Sequence, residues 1–118
     1  MNLLMRKVKW VPYQGDVIWL DLNHGVGTEM NKIRPVVVIS SNDYNFTMKK
    51  AIVCPVTSTY HRWANVYHLD GKGYKTTGNV ISTELKCVDF TWRQCKYIER
   101  LKREDVDAIK AQAVSAFF

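Results

Sequence analysis

Pro35-Val36-Val37-Val38-Ile39-Ser40 is a run of β-branched residues, too short for a helix and too uniformly apolar for a strand with one wet face. It reads as a strand buried on both faces, which needs covering layers above and below it. Upstream, Asp16-Val17-Ile18-Trp19-Leu20-Asp21-Leu22 alternates instead. Ile18, Leu20 and Leu22 share one face, and Val17, Trp19 and Asp21 the other. The polar stretch between the two strands, residues 23–34, carries Gly25 and Gly27, which allow a loop unusual backbone angles. Residues 1–12 read as a short arm bearing Arg6, Lys7 and Lys9, set off from the first strand by Pro12 and Gly15.

Downstream, Ser41-Asn42-Asp43-Tyr44-Asn45 has the short polar side chains of a turn. Residues 51–56 form the next strand, with Pro55 breaking its ladder near the end. A loop over 57–64, a short strand over 65–70 and a turn over 71–74 follow, and Gly78 leads into the stretch 79–88. A turn near 91–94 precedes a last strand over 96–101. From Arg103 the period becomes helical: Val106, Ile109, Ala113 and Phe117 recur on one face, with Glu104 and Asp105 in the first turn, where the helix dipole favours acids. The pattern is mainly β with a C-terminal helix over residues 103–116. Five to seven short strands before a helix indicate a small, strongly bent antiparallel barrel.

With 118 residues, the chain suits one domain and leaves no room for a second. At 47% hydrophobic residues it is not compositionally disordered. Apolar runs stay far below the roughly 20 residues that span a bilayer, and Met1–Lys7 lacks the apolar run of a signal peptide, so a cytoplasmic protein is expected. Cys54, Cys87 and Cys95 form neither a CxxC pair nor an even set, which excludes a disulfide framework. His24, His61 and His68 lack ligand spacing, so no structural metal site is expected. A formal charge of +6 suits a polyanionic partner. It equally suits a protein that is merely soluble.

Two polar segments abut apolar strands. Thr28-Glu29-Met30-Asn31-Lys32-Ile33-Arg34 runs into Pro35, and Thr57-Ser58-Thr59 follows a buried strand. Brought together around a phosphate, an acid, an arginine and a hydroxyl could cleave RNA without a metal. The carboxylate would take the proton of the 2′-hydroxyl, and the arginine and hydroxyl would hold the charged phosphorane. The same residue types also describe an exposed Glu–Arg pair worth about 0–1 kcal/mol beside an ordinary loop.

At these residues the chain resembles the MazF/PemK (Kid) toxins of bacterial toxin–antitoxin systems. The resemblance rests on Gly15-Asp16-Val17-Ile18-Trp19-Leu20-Asp21-Leu22, on Gly27-Thr28-Glu29, on Arg34-Pro35-Val36-Val37-Val38-Ile39-Ser40 and on Val53-Cys54-Pro55-Val56-Thr57-Ser58. Val88-Asp89-Phe90 and the terminal helix match more loosely, and order and spacing fit from about residue 12 to 113. The resemblance implies an SH3-like barrel, a homodimer and a sequence-specific endoribonuclease of single-stranded RNA. It implies cleavage without metal or other cofactor, leaving 2′,3′-cyclic phosphate and 5′-hydroxyl ends, and a cognate MazE-like antitoxin. Carried over by position, Arg34 matches the essential arginine and Thr57 the catalytic threonine. Glu29 matches the acid of the first loop and is the candidate base. RNA contacts are expected from Thr28, Lys32, Ser58, Thr59, Trp63, Glu84 and Lys86.

Several positions depart from the family pattern. Thr28 stands where relatives carry Ser or His, and Met30 replaces a common Gln. Thr83-Glu84 stands where many have Asp-Gln, and Val80 and Ile81 supply no second arginine. A mechanism with that Asp as base is therefore absent, leaving Glu29, Arg34 and Thr57. Tyr44, Phe46, Tyr60 and Trp63, on or near loops, suit either base stacking or, for Phe46 and Trp63, capping the ends of the core. Trp19 reads as core or dimer interface, and Cys54 as a packed thiol. Two other functions fit such a fold. One is a CcdB-like gyrase poison, against which the ending Ser115-Ala116-Phe117-Phe118 argues. The other is a barrel that binds RNA without cutting it.

Overall fold

The structure, a computed structural model, describes residues 10–21, 33–59, 66–91 and 95–118. These form seven strands and two helices: β1 (Asp16–Asp21), β2 (Ile33–Val38), α1 (Asn42–Met48), β3 (Ala51–Thr57), β4 (Val66–His68), β5 (Asn79–Ile81), β6 (Lys86–Val88), β7 (Cys95–Arg100) and α2 (Arg103–Ser115). All pairings are antiparallel, in the order β4-β5-β3-β2-β1-β7, and β6 also pairs with β3. Among the described residues the sheet does not close, so the barrel expected from the sequence is a bent, open sheet. β3 carries the bend: its start pairs with β6 and its end with β5 on the same edge.

Burial follows the alternation. On one face Val17, Val37, Cys54, Val56 and Val80 pack with Leu69 and with Leu101, Val106 and Ile109 at and within α2. On the other, Ile18, Leu20, Val36, Val38, Val53 and Val88 pack with Phe90 and Trp10. Val36, Val37 and Val38 are fully buried, as a strand covered on both faces requires.

The structure corrects the sequence pattern at three places and fills it in at one. Ser41–Asn45 is not a turn but the start of α1. Ser41 is its N-cap, its hydroxyl accepting the Tyr44 N–H at 3.1 Å, because the side chains that make turns also cap helices. Within α1, Asn45 is fully buried. It donates to the Pro12 carbonyl at 2.9 Å and accepts from the Ser40 hydroxyl at 2.5 Å, while Ser40 Oγ accepts the Ile52 N–H at 2.9 Å. Second, the stretch 79–88, left unassigned in the sequence, is two strands separated by a turn in which the Glu84 N–H donates to the Ile81 carbonyl. Third, Thr57 is the last residue of β3 rather than the start of a loop. Fourth, α2 ends at Ser115 and Phe117, beyond it, is 72% exposed, whereas Val106, Ile109 and Ala113 are buried as the spacing predicts.

Asp105 answers to more than the helix dipole. Its carboxylate, only 5% exposed, accepts the hydroxyls of Tyr67 on β4 and Tyr74 on the turn before β5. Burial alone would push the carboxyl up, but the two tyrosine bonds, with Lys72 and Lys102 nearby, outweigh it and hold the carboxyl below its ordinary range. Burial and the bond to Asp105 raise both tyrosines to about 12. A carboxyl depressed in the folded state stabilises above its unfolded pKa and loses that contribution as pH falls through the folded value. Asp105→Asn is therefore expected to lower stability at neutral pH by about 2–4 kcal/mol, two bonds to a charged acceptor being weakened. The gap from wild type should shrink below about pH 4, as urea unfolding across pH would show.

Candidate active site

Strand register lines up polar side chains across the sheet. Leu20 on β1 pairs with Arg34 on β2, Thr57 on β3 with Asn79 on β5, and Asn79 with His68 on β4. The β2–β3 register, carried two residues past its last pair, Val36↔Pro55, sets Arg34 across from Thr57. Residues opposite one another share a face. Arg34 follows the alternation of Val36 and Val38, and Thr57 that of Ala51 and Val53, all of the Ile18–Leu20 cluster. A row Arg34–Thr57–Asn79–His68 thus crosses four strands where the apolar part of that face ends. Lys86, exposed and paired with Val53, belongs to the same face. Arg34 is exposed, Thr57 half-buried and Asn79 4% exposed.

The approach of β5 to β3 depends on Gly78. It adopts φ +116°, and a Cβ there would lie 2.5 Å from the Thr57 carbonyl oxygen, inside any real contact distance. Its N–H donates to Asp70 at 2.8 Å. The preceding segment is fixed by Glu99 of β7, whose carboxylate accepts the Lys75 and Thr76 N–H groups and the Thr76 hydroxyl. Burial would raise the Glu99 carboxyl, yet these bonds hold it below its ordinary range. Beyond β3, the Thr59 N–H donates to Thr57 Oγ1 at 3.2 Å. That bond uses an acceptor lone pair of the hydroxyl and leaves its proton to be donated. Asn79 Nδ2 donates to the Thr59 carbonyl at 2.8 Å, and its Oδ1 meets His68 Nδ1.

Of the residues singled out in the sequence, the structure brings Arg34, Thr57 and Lys86 to one face. Ser58 and Thr59 are exposed just past Thr57, and Glu84 is exposed after the turn that follows β5. Glu29, Thr28, Lys32 and Trp63 lie outside the described residues, as do Met30, Tyr60 and His61. Tyr44 and Phe46 stand on α1, not on a loop. Phe46 is 64% exposed and does not cap the core. Trp19, at 42% exposed, is only partly covered. Cys54 is the packed thiol expected, and burial pushes it up to about 12. Among the described residues, no three His, Cys, Asp or Glu side chains are grouped to hold a metal ion. Gly78 was marked in the sequence only as leading into the stretch after it, and Asn79 not at all, because what makes them matter is a neighbour more than twenty residues away.

Residues 13–117 match the family described as PemK-like, MazF-like toxins of type II toxin–antitoxin systems. The chain is 31% identical over 91 residues, 75% of its length, to Endoribonuclease PemK of Escherichia coli, of which it covers 68%. Its fold is similar to that of MazF from Deinococcus radiodurans, at TM-score 0.80, 22% identity and coverage of 92% of this chain and 98% of that one. A MazE–MazF structure from the same organism superposes at TM-score 0.83, with 22% identity and coverage of 92% and 97%. An endoribonuclease in complex with its cognate antitoxin, from mycobacterial species, superposes at 0.75, with 18% identity and coverage of 90% and 94%.

Gly78→Ala is expected to destabilise the protein by more than about 1 kcal/mol, since the residue combines positive φ with a closed approach. Thermal melting would show the loss, whereas the same change at Gly71, whose Cβ would meet nothing within 4 Å, should cost less.

Proposed function

The chain belongs to the PemK-like, MazF-like toxins of type II toxin–antitoxin systems, and from that premise we propose that it is an endoribonuclease that cuts single-stranded RNA without a metal. The observation that carries this reading is the β2–β3 register, which puts Arg34 and Thr57 on one face where two strands end. Arg34 binds the scissile phosphate through its planar, multi-donor guanidinium, and Thr57 donates its hydroxyl proton to a second phosphate oxygen. Both bonds strengthen as charge gathers on the phosphorane.

Glu29 takes the proton of the 2′-hydroxyl. The 2′-oxygen forms a bond to phosphorus as the bond to the 5′-oxygen breaks, and the departing 5′-oxygen takes up a proton. The products are a 2′,3′-cyclic phosphate and a 5′-hydroxyl. Lys86 and the hydroxyls of Ser58 and Thr59, all exposed, contact flanking nucleotides, and Thr28, Lys32, Trp63 and Glu84 complete the RNA-contacting set. The enzyme works in the cytoplasm as a homodimer and is silenced by a cognate antitoxin of the MazE kind.

Purified protein incubated with a long single-stranded RNA in EDTA should yield fragments with 5′-hydroxyl ends and a common short sequence at each cut. Arg34→Ala and Thr57→Val should each lower the rate on the order of 10²–10³-fold with unchanged circular dichroism. Intact RNA from folded, antitoxin-free wild type would leave a binding protein or a gyrase poison. Wild-type rates in Arg34→Ala would reject the mechanism.

A further inference from the structure

Asn79 is buried, in register with Thr57, and joined to groups on both sides of it. Its amide orientation is not arbitrary. The Thr59 carbonyl can only accept, so the atom 2.8 Å from it is the Asn79 nitrogen. The oxygen is thereby turned to His68 Nδ1, and an amide oxygen can only accept, so that ring nitrogen carries a proton. The chain of donors then runs one way, from His68 Nδ1–H to Asn79 Oδ1 and from Asn79 Nδ2–H to the Thr59 carbonyl. From Thr59 the backbone N–H continues to Thr57 Oγ1.

We propose that Asn79 is a positioning residue for the Thr57 hydroxyl, clamping the carbonyl of Thr59 so that the Thr59 N–H fixes the Thr57 side chain, with His68 holding the amide the right way round. The inference rests on the reading that Thr57 donates to the scissile phosphate. Two bonds at one turn act in series. Nδ2 fixes the carbonyl side of Thr59, and the N–H of Thr59 then occupies an acceptor lone pair of Thr57, restricting where its O–H proton can point. Without the clamp, the exposed turn over residues 58–59 keeps only the Thr59–Thr57 bond among those described, and water competes for an exposed bond of that kind. A hydroxyl free to rotate still meets bound RNA but reaches the transition state less often, so the loss falls on kcat rather than on KM.

Asn79→Val removes both ends of the clamp. Asn79→Asp keeps an acceptor for His68 but sets a carboxylate oxygen against the Thr59 carbonyl. With an oligoribonucleotide spanning one cut site mapped on a long RNA, both variants are expected to lose 10- to 100-fold in kcat with KM within about two-fold. Thr57→Val, assayed alongside, should lose more. If the Asn79 variants are folded and keep kcat within two-fold while Thr57→Val collapses, the clamp is overturned and the reading of Thr57 stands. If Thr57→Val itself cuts at the wild-type rate, that reading falls. Wild-type activity in Asn79→Asp alone would mean that Asn79 serves His68 and not the turn, which also overturns the clamp. Should the variants fail to fold, the wild-type protein still decides. Ring ¹⁵N signals of His68 at alkaline pH must show the proton on Nδ1, and a proton on Nε2 overturns the arrangement.

Discussion

β2 is covered on both faces, and most of the molecule follows from that requirement. A strand that is apolar above and below needs two separate packing layers. The chain provides them by laying α2 across one face and folding the segment around Trp10, with Phe90, against the other. At about 25 cal/mol per Å² of apolar surface, such burial is the main favourable contribution a chain of this size can assemble. The sheet can be polar only where these layers stop. Arg34, at the start of β2, and Thr57, at the end of β3, lie beyond that limit on the same face.

Two buried polar groups fasten the layers to the sheet. Asn45 ties α1 to the segment before β1 and to the end of β2, and Asp105 ties α2 to β4 and to the turn ahead of β5. Each is satisfied on both its partners' sides, as a group out of reach of water must be. Pro55 adds a further constraint. On the edge of β3 that β5 and β6 share, it lies between the residues paired with β6 and those paired with β5. A proline has no N–H for a ladder, so a turn between two short strands fits that edge better than one continuous strand.

What could be read from the sequence was what periodicity encodes. The valine run over 36–38, the alternation over 16–21 and the helical spacing of Val106, Ile109 and Ala113 each report a local environment repeated along the chain, and each is matched in the fold. Arg34 and Thr57 became candidates only through resemblance to a family, since their residue types alone also fit an ordinary polar surface. Ser41 misled because capping a helix and making a turn ask for the same side chain. Asn45, Gly78, Asn79 and Asp105 were opaque for a different reason. Their roles are set by partners distant in sequence, and a buried asparagine has no local pattern to distinguish it from one in a loop.

If Arg34 binds the scissile phosphate as proposed, its exposure separates what the residue does from what the fold requires. Val36, two positions on, packs on all sides, and shortening it would be felt throughout the core. Arg34 belongs to neither packing cluster and is exposed. On that reading activity and foldability can be lost independently, and a single substitution at this position would leave an intact molecule with every other surface in place. Such a silent copy would still compete for whatever recognises the native one, so a population carrying both forms would titrate a shared inhibitor with inactive protein.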